Sequence, residues 1–329
     1  MPNTIFSSSA HTVTSGCQPL DGALSSNELQ QIVRGLKQAR ADWRTRQQRR
    51  EFGGREFPSR QTLQEIVQAL SGALFPMRLG PVDLRQDSED FYVGHTLDSA
   101  LNALLQQTRL ALCYRARQQN IELSAAQLEQ QSREIIRAFA HSLPEMRNIL
   151  DRDVEAAFAG DPAASSVDEI LLCYPGIQAV ISYRLAHQLY VLGVPLLARM
   201  ISELAHSATG IDIHSGASIG AGFFIDHGTG VVIGETAIIG HNVRIYQAVT
   251  LGAKRFEVDN DGNLAKDYPR HPIVEDNVVI YAGATILGRI TIGQGSVIGG
   301  NVWLTHDVPP HSQVLQASNQ DRTKTGSTA

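Results

Sequence analysis

The spacing of apolar residues changes once along the chain, near residue 209. Before that point apolar positions recur every three or four residues, which is typical of amphipathic helices. In the run NELQQIVRGLKQARADWRTRQQRREF, Leu29, Ile32, Val33 and Leu36 share one helical face, and Ser26 is a suitable N-cap. This half is expected to be a packed helical domain. We expect its helices at 27–52, 59–75, 96–117, 124–142, 144–159, 165–173, 176–192 and 194–207.

Beyond residue 209 the apolar period becomes six. A six-residue aliphatic period with glycine or another small residue beside it is the sequence form of a parallel β-helix. Each hexapeptide makes one short face of a prism, and its aliphatic residue points inward. The thirteen predicted inward residues are Ile213, Ile219, Ile225, Ile233, Ile239, Ile245, Leu251, Val274, Ile280, Ile286, Ile292, Ile298 and Leu304.

Two interruptions break this period. The segment DHGTGVV between Ile225 and Ile233 is two residues too long. Between Leu251 and Val274 lies a polar insert of 22 residues with the turn signal NDGN, which predicts a loop protruding from the prism at 252–272. Extra residues in a solenoid form loops, and loops on a rigid scaffold often carry the functional groups.

Composition agrees with two differently built halves. Of the 28 glycines in the 329 residues, 17 lie from Gly210 onward. With 43% hydrophobic residues and a net charge of -5, we expect a soluble protein that binds neither nucleic acid nor membrane. Cys17, Cys113 and Cys173 are widely spaced and odd in number, which favours a reducing, cytoplasmic location.

These features predict four segments. They are a variable tail at 1–25, a helical domain at 26–208, a β-helical domain at 209–308 and a C-terminal tail at 309–329.

His227 lies inside the first interruption. Histidine titrates near neutral pH, so it is a natural general base for a hydroxyl once another group fixes its tautomer. Asp212 precedes it by 15 residues, about one coil, and stacking of coils could bring the carboxylate beside the imidazole. The alternative is a surface histidine in a turn.

Three further residues are candidates for substrate binding. Arg270 and His271 end the long loop, and a guanidinium beside an imidazole suits a carboxylate. Asp161 opens the segment DPAASS and could bind an ammonium group. The alternatives are a solvated loop end for the first two and a helix cap for Asp161.

Other chemistries find little support. The segment GQGSVIGG at 293–300 follows the six-residue period and is interpreted as coil corners, and neither GxxxxGK[ST] nor GxSxG occurs. A zinc site is a distant alternative, since none of the available histidines forms a close pair on one coil. Those histidines are His206, His214, His227, His241 and His271.

From about residue 161 to 310, roughly half of the chain, a series of motifs accompanies the six-residue period. They are DPA at 161, YRLAH at 183, DIHSGASIG at 212, DHGTGVVIGET at 226, VTLG at 249, RHP at 270 and AGATILG at 282. With these motifs the chain resembles bacterial and plant serine O-acetyltransferases. The resemblance implies an α+β fold in which a helical domain precedes a left-handed parallel β-helix, and it implies a trimer or a dimer of trimers.

The resemblance also implies residue roles. His227 resembles the general base and Asp212 the acid that orients it, while Asp161, Asp226, Arg270 and His271 match amino-acid-binding positions. Acetyl-CoA is implied as co-substrate in the groove between neighbouring β-helices. Its expected contacts are Ala253, Ala282 and Gly300.

The implied reaction is acetyl transfer from acetyl-CoA to L-serine, the first step of cysteine synthesis from serine, with L-cysteine as feedback inhibitor and no metal. The ending DRTKTGSTA lacks the terminal isoleucine by which many family members bind cysteine synthase, which argues against that complex. Two alternatives remain: an acyltransferase for homoserine or an amino sugar, and a catalytically silent β-helix that acts as a scaffold.

Overall fold

The computed structural model describes residues 24–46, 57–255, 264–265 and 268–316. The chain divides into two compact units, Met1–Arg55 and Glu56–Ala329. The first contains helix α1, Ser26–Arg46, in which no residue is buried. Its N-cap is Ser25 rather than the predicted Ser26, because Ser25 exchanges hydrogen bonds with Glu28. Most of the predicted tail, and positions 47–52 of the predicted first helix, lie outside the described residues.

The second unit begins with helices. Most were predicted, but the short α3 was not, and α4 starts seven residues before its predicted start. The helices are α2 (Arg60–Leu74), α3 (Pro76–Leu79), α4 (Glu89–Gln118), α5 (Ala125–Gly160), α6 (Val167–Cys173), α7 (Pro175–Val191) and α8 (Pro195–Thr209), with a 3-10 turn at Gln86–Ser88.

The predicted break at 143 is wrong, since α5 runs through Pro144 as one 36-residue helix. Proline lacks an N–H and disfavours a helix interior. The apolar face nevertheless continues in register from Phe139 through Leu143 to Leu150, all buried. Packing of that continuous face offsets the lost hydrogen bond, so the helix does not end there.

In the part of the chain that the structure describes, fourteen short strands follow the helices. They are β1 (Asp212–Ile213), β2 (Ser218–Ile219), β3 (Phe224–Ile225), β4 (Val232–Ile233), β5 (Ile238–Ile239), β6 (Arg244–Ile245), β7 (Thr250–Gly252), β8 (Ile273–Val274), β9 (Val279–Ile280), β10 (Thr285–Leu287), β11 (Thr291–Ile292), β12 (Val297–Ile298), β13 (Trp303–Leu304) and β14 (Gln313–Val314).

The strands form three parallel sheets wound as a prism. Sheet 1 has the order β1-β4-β7-β10-β13, sheet 2 has β11-β8-β5-β2, and sheet 3 has β14-β12-β9-β6-β3. The register joins residues of equal position in successive coils, for example Ile213 with Ile233 and Ile233 with Leu251. All thirteen predicted inward aliphatic residues are buried, which confirms the six-residue period.

The two ends of the prism are closed differently. Helices α5, α7 and α8 pack against the first coil through β1 and β3. At the other end β14 pairs with β12, so regular structure continues past residue 308, the predicted end of the domain. The six-residue spacing is lost there, which explains why the sequence did not indicate this strand. None of the described helices is long and apolar enough to span a membrane.

Candidate active site

The three sheets meet at three edges of the prism, named here by the sheets they join. The 1–2 corner contains residues 214–217, 234–237 and 288–290 and the described residues of the loop 253–272. The 3–1 corner contains residues 226–231, 246–249, 281–284 and 299–302. The predicted site residues are divided between these two corners and the helices beside them.

His227 lies at the 3–1 corner, where the first interruption of the period widens the turn. Its backbone is left-handed (φ 58°), a conformation that histidine tolerates better than most residues. The turn is tied down by hydrogen bonds from the Gly228 N–H to the Asp226 carbonyl (2.7 Å) and from the Gly230 N–H to the Gly210 carbonyl (2.8 Å). The imidazole projects outward and is 72% exposed in the single chain.

One carboxylate lies beside this imidazole, and a second interacts with it electrostatically. Asp226 Oδ1 is 3.8 Å from His227 Nδ1, and its side chain is only 13% exposed. Asp161, at the end of α5, has its pKa lowered chiefly by a hydrogen bond from the Tyr174 hydroxyl and then by the Ala163 N–H. The charge of His227 lowers it further. Asp161, Asp226 and His227 therefore form one cluster at the junction of the helices and the first coil.

Asp212 lies on β1, in register with Val232 and half-buried. Among the described residues, Asp226 is the one carboxylate within 4.0 Å of the His227 ring, and Asp212 makes no hydrogen bond to it. The charge of Asp212 acts instead on His214. Burial lowers the pKa of His214, and the Asp212 carboxylate opposes part of that lowering. The orientation of His227 by Asp212 stays a prediction.

Arg270 and His271 lie at the 1–2 corner. Arg270 Nη2 forms an ion pair with Glu235 Oε2 at 2.5 Å, and Tyr190 donates a hydrogen bond to the other oxygen of Glu235 at 3.3 Å. The side chain of His271 is only 7% exposed. The alternative of a solvated loop end is therefore wrong for both residues.

The environment of His271 determines which ring nitrogen carries the hydrogen. The N–H of Thr236 points at His271 Nδ1 (3.0 Å), so Nδ1 accepts and Nε2 carries the hydrogen of the neutral ring. Burial, reinforced by the charge of Arg270, lowers the pKa of His271 to about 4. The ring packs directly over Gly234, where a Cβ atom would collide with it. His271 is therefore a neutral hydrogen-bond donor at pH 7.

The expected acetyl-CoA contacts are also divided. Ala253 follows β7 at the 1–2 corner, whereas Ala282 and Gly300 occupy successive coils of the 3–1 corner. The Ala282 carbonyl accepts a hydrogen bond from the Asn301 N–H at 2.9 Å, so these two coils are in register. A single chain does not bring all three residues together.

Four residues beside these candidates were missed from the sequence. Glu235 and Thr236 follow Ile233 in the motif GET, and that motif was the available signal. Tyr174 and Arg244 carried no local signal, because 13 residues and 83 residues separate them from Asp161. No group of three or more His, Cys, Asp or Glu side chains in the described part of the chain could hold a metal ion.

A prism of hexapeptide coils with an outward imidazole on one corner defines a hexapeptide-repeat transferase. The family model described as bacterial transferase hexapeptide (six repeats) matches residues 271–306. The chain is 56% identical over 261 residues to the serine acetyltransferase, plasmid, of Synechococcus elongatus, covering 79% of this chain and 82% of that protein. The chain therefore belongs to the serine acetyltransferase family.

Solved structures agree. Serine acetyltransferase 1 of Entamoeba histolytica in complex with L-cysteine superposes with a TM-score of 0.65 and 39% identity, over 75% of this chain and 85% of that one. The serine acetyltransferase of Neisseria gonorrhoeae in complex with serine superposes with a TM-score of 0.50 and 27% identity, over 78% of this chain and 95% of that one. The predicted fold class, a helical domain followed by a left-handed parallel β-helix, is confirmed.

Proposed function

We propose that this protein transfers the acetyl group of acetyl-CoA to the hydroxyl of L-serine, giving O-acetyl-L-serine and CoA in the first step of cysteine synthesis from serine. The observation that carries the proposal is the 56% identity to a serine acetyltransferase over most of both chains. The cluster of His227, Asp161 and Asp226 supports it, because it joins a base to two anionic groups that suit an amino-acid ammonium.

His227 acts as the general base. Its imidazole takes the serine hydroxyl proton as the oxygen attacks the thioester carbonyl, and it then returns a proton to the departing thiolate. Asp212 orients the ring and stabilises its cation. Acid–base catalysis of this kind contributes on the order of 10² to 10⁴ in rate, and holding the two substrates together supplies much of the rest.

The acetyl group passes directly to serine. The three cysteines, Cys17, Cys113 and Cys173, all precede the β-helix, and no serine lies in a nucleophile motif. Neither feature favours an acetyl-enzyme. Direct transfer predicts intersecting lines in double-reciprocal plots. Parallel lines would contradict it and would indicate a covalent acetyl-enzyme.

The substrate's two ends are held by residues of different corners. Asp161 and Asp226 bind the ammonium group, while Arg270 and His271 donate to the carboxylate. Adjacent corners of one prism are about six residues apart, or roughly 20 Å along the chain at ~3.3 Å per residue. Serine is much shorter than that, so the 3–1 corner of one copy faces the 1–2 corner of the next.

Such head-to-tail contacts close into a ring, and a trimer is the smallest ring that suits a three-sided prism. Acetyl-CoA lies in the groove between the two copies, where Ala253, Ala282 and Gly300 leave the backbone open to the cofactor. The 72% exposure of His227 in one chain agrees with a site completed by a neighbour. L-cysteine competes for the amino-acid subsite, as its complex with the Entamoeba histolytica relative suggests.

Free-CoA release from acetyl-CoA tests the function, with L-serine, homoserine and glucosamine as acceptors and with added L-cysteine. We expect release with L-serine at a kcat/KM at least tenfold above that for the other two, and inhibition by L-cysteine that more serine relieves. Faster release with homoserine or glucosamine would assign another acceptor. No release with any acceptor would favour a silent scaffold.

A further inference from the structure

Asp161 is held by two donors from different segments. The Tyr174 hydroxyl donates to Asp161 Oδ2 at 2.5 Å, and the Ala163 N–H donates to Oδ1 at 2.8 Å. Each carboxylate oxygen therefore has one lone pair occupied and one free, and the plane of the carboxylate is fixed. A carboxylate fixed in this way is preorganised to accept a third hydrogen bond from a cationic donor.

The backbone that carries Asp161 is also fixed in place. Gly160, the last residue of α5, is buried against Arg244 and Phe224, and a Cβ added there would lie 2.5 Å from Arg244 Nη2 and 2.8 Å from Phe224 Cδ1. The Arg244 guanidinium in turn lies 5.5 Å from the Phe224 ring. The end of α5 thus contacts β3, the strand that leads directly to Asp226 and His227.

Tyr174 lies between α6 and α7, and it remains a donor throughout the pH range of catalysis. Its hydrogen bond to Asp161 is the largest cause that raises the pKa of Tyr174 to about 12, and the charge of Asp226 contributes as well. Tyr174 therefore contacts Asp161 directly, and the charge of Asp226 acts on it as well. Its ring is only partly exposed, and its backbone N–H is anchored to the Ile170 carbonyl at 3.2 Å.

We propose that Tyr174 is a positioning residue of the acceptor site, whose hydroxyl orients the Asp161 carboxylate toward the substrate ammonium. The proposal rests on the function proposed above. In this arrangement the Tyr174 hydroxyl acts on the substrate only through Asp161. Removal of the hydroxyl therefore weakens amino-acid binding and leaves the acetyl-transfer step unchanged. The hydroxyl of this tyrosine thereby helps the site to select an acceptor that carries an ammonium group.

The first test is Tyr174→Phe in the full-length protein, with steady-state kinetics for both substrates. A hydrogen bond to a charged group contributes enough that about a tenfold rise in the KM for L-serine is expected. The kcat and the KM for acetyl-CoA should stay within about twofold of wild type. Tyr114→Phe removes a hydroxyl on α4, where the ring packs against Phe57, and should change none of the three constants.

A double-mutant cycle with Asp161→Asn separates positioning from general loosening of the fold. Asp161→Asn should itself raise the KM for L-serine, and adding Tyr174→Phe should then raise it less than twofold further. An unchanged KM for L-serine in either single variant would overturn the proposal. So would a rise in the double variant equal to the product of the rises in the two single variants. If the wild type shows no serine-dependent CoA release, the proposed function fails instead, so the two failures are distinguishable.

Discussion

The guanidinium of Arg184 forms a buried bidentate ion pair with the carboxylate of Asp153. Nε lies 2.6 Å from Oδ2 and Nη2 lies 2.9 Å from Oδ1, with side-chain exposures of 8% and 0%. Arg184 also donates to the carbonyls of Ile219 (3.2 Å) and Gly220 (2.8 Å), and Asp153 accepts from the Phe223 N–H (2.9 Å). The pair therefore joins α5, α7 and the first coil.

Breaking this pair should destabilise the protein strongly. Burial raises the pKa of Asp153 and the Arg184 contacts oppose that rise, so the carboxylate depends on its partner. Arg184→Met leaves a buried carboxylate unpaired, and a loss of about 3–5 kcal/mol in the free energy of unfolding is expected. Urea unfolding at a fixed protein concentration measures it.

The matched control for that variant is Arg133→Met. Arg133 lies on α5 with its side chain 68% exposed, and it pairs with Glu129 at 2.6 Å. An exposed pair of this kind contributes about 0–1 kcal/mol. Equal losses in the two variants would contradict the importance given to the buried pair.

Stability should depend on pH through His271. Its folded pKa of about 4 lies below the unfolded value of about 6.5, so the unfolded chain binds more protons between these values. The stabilisation is fully present above pH 6.5 and is lost as the pH falls toward 4. The urea midpoint should decline across this window, and less steeply in His271→Gln than in wild type.

The exposed histidine His306 offers a comparison for the pH series. His306→Gln should keep the wild-type slope of midpoint against pH. His187 and His214 are also half-buried with lowered pKa values, so a residual slope is expected in His271→Gln. An identical slope in His271→Gln and wild type would show that His271 is not held neutral by burial.

The division of the site between two corners predicts complementation. In the proposed trimer, the His227→Ala and Arg270→Ala variants should each be nearly inactive. Co-expressed with different affinity tags and purified for both tags, they should form mixed trimers in which some interfaces carry both wild-type residues. Those trimers should recover a substantial fraction of wild-type kcat.

The reference is a double variant that carries both changes in one chain, co-expressed with wild-type chains of the other tag. Its activity calibrates how many interfaces with both wild-type residues a mixed trimer contains. Recovery only to the level of the separate variants would place His227 and Arg270 in the same chain's site. That outcome would remove the argument for a site shared between copies.

The regular part of the fold was readable from the sequence because each hexapeptide repeats the same inward position. Ile213 and Leu304 could both be assigned as buried without reference to any other part of the chain, and both are. Helix boundaries were less accessible. The packing of Phe139 and Leu150 against other helices carries α5 through Pro144, and no local signal reports such tertiary contacts.

The candidate site shows the same limit. His227 was identifiable because the period fails there, and Arg270 because it ends an insertion. Glu235 was not, although it forms the closest ion pair of Arg270, since its pairing depends on stacking of coils that are 35 residues apart. Tyr174 reaches Asp161 only because the turn between α6 and α7 folds back on the end of α5.

The role of His227 as general base is tested most directly by serine-dependent CoA release by His227→Ala beside wild type, with acetyl-CoA binding measured for both. We expect kcat to fall by about 10² to 10⁴ while acetyl-CoA binds with its wild-type affinity, and we expect a smaller loss in Asp212→Asn. Near-normal turnover in His227→Ala with normal acetyl-CoA binding would contradict this role of His227.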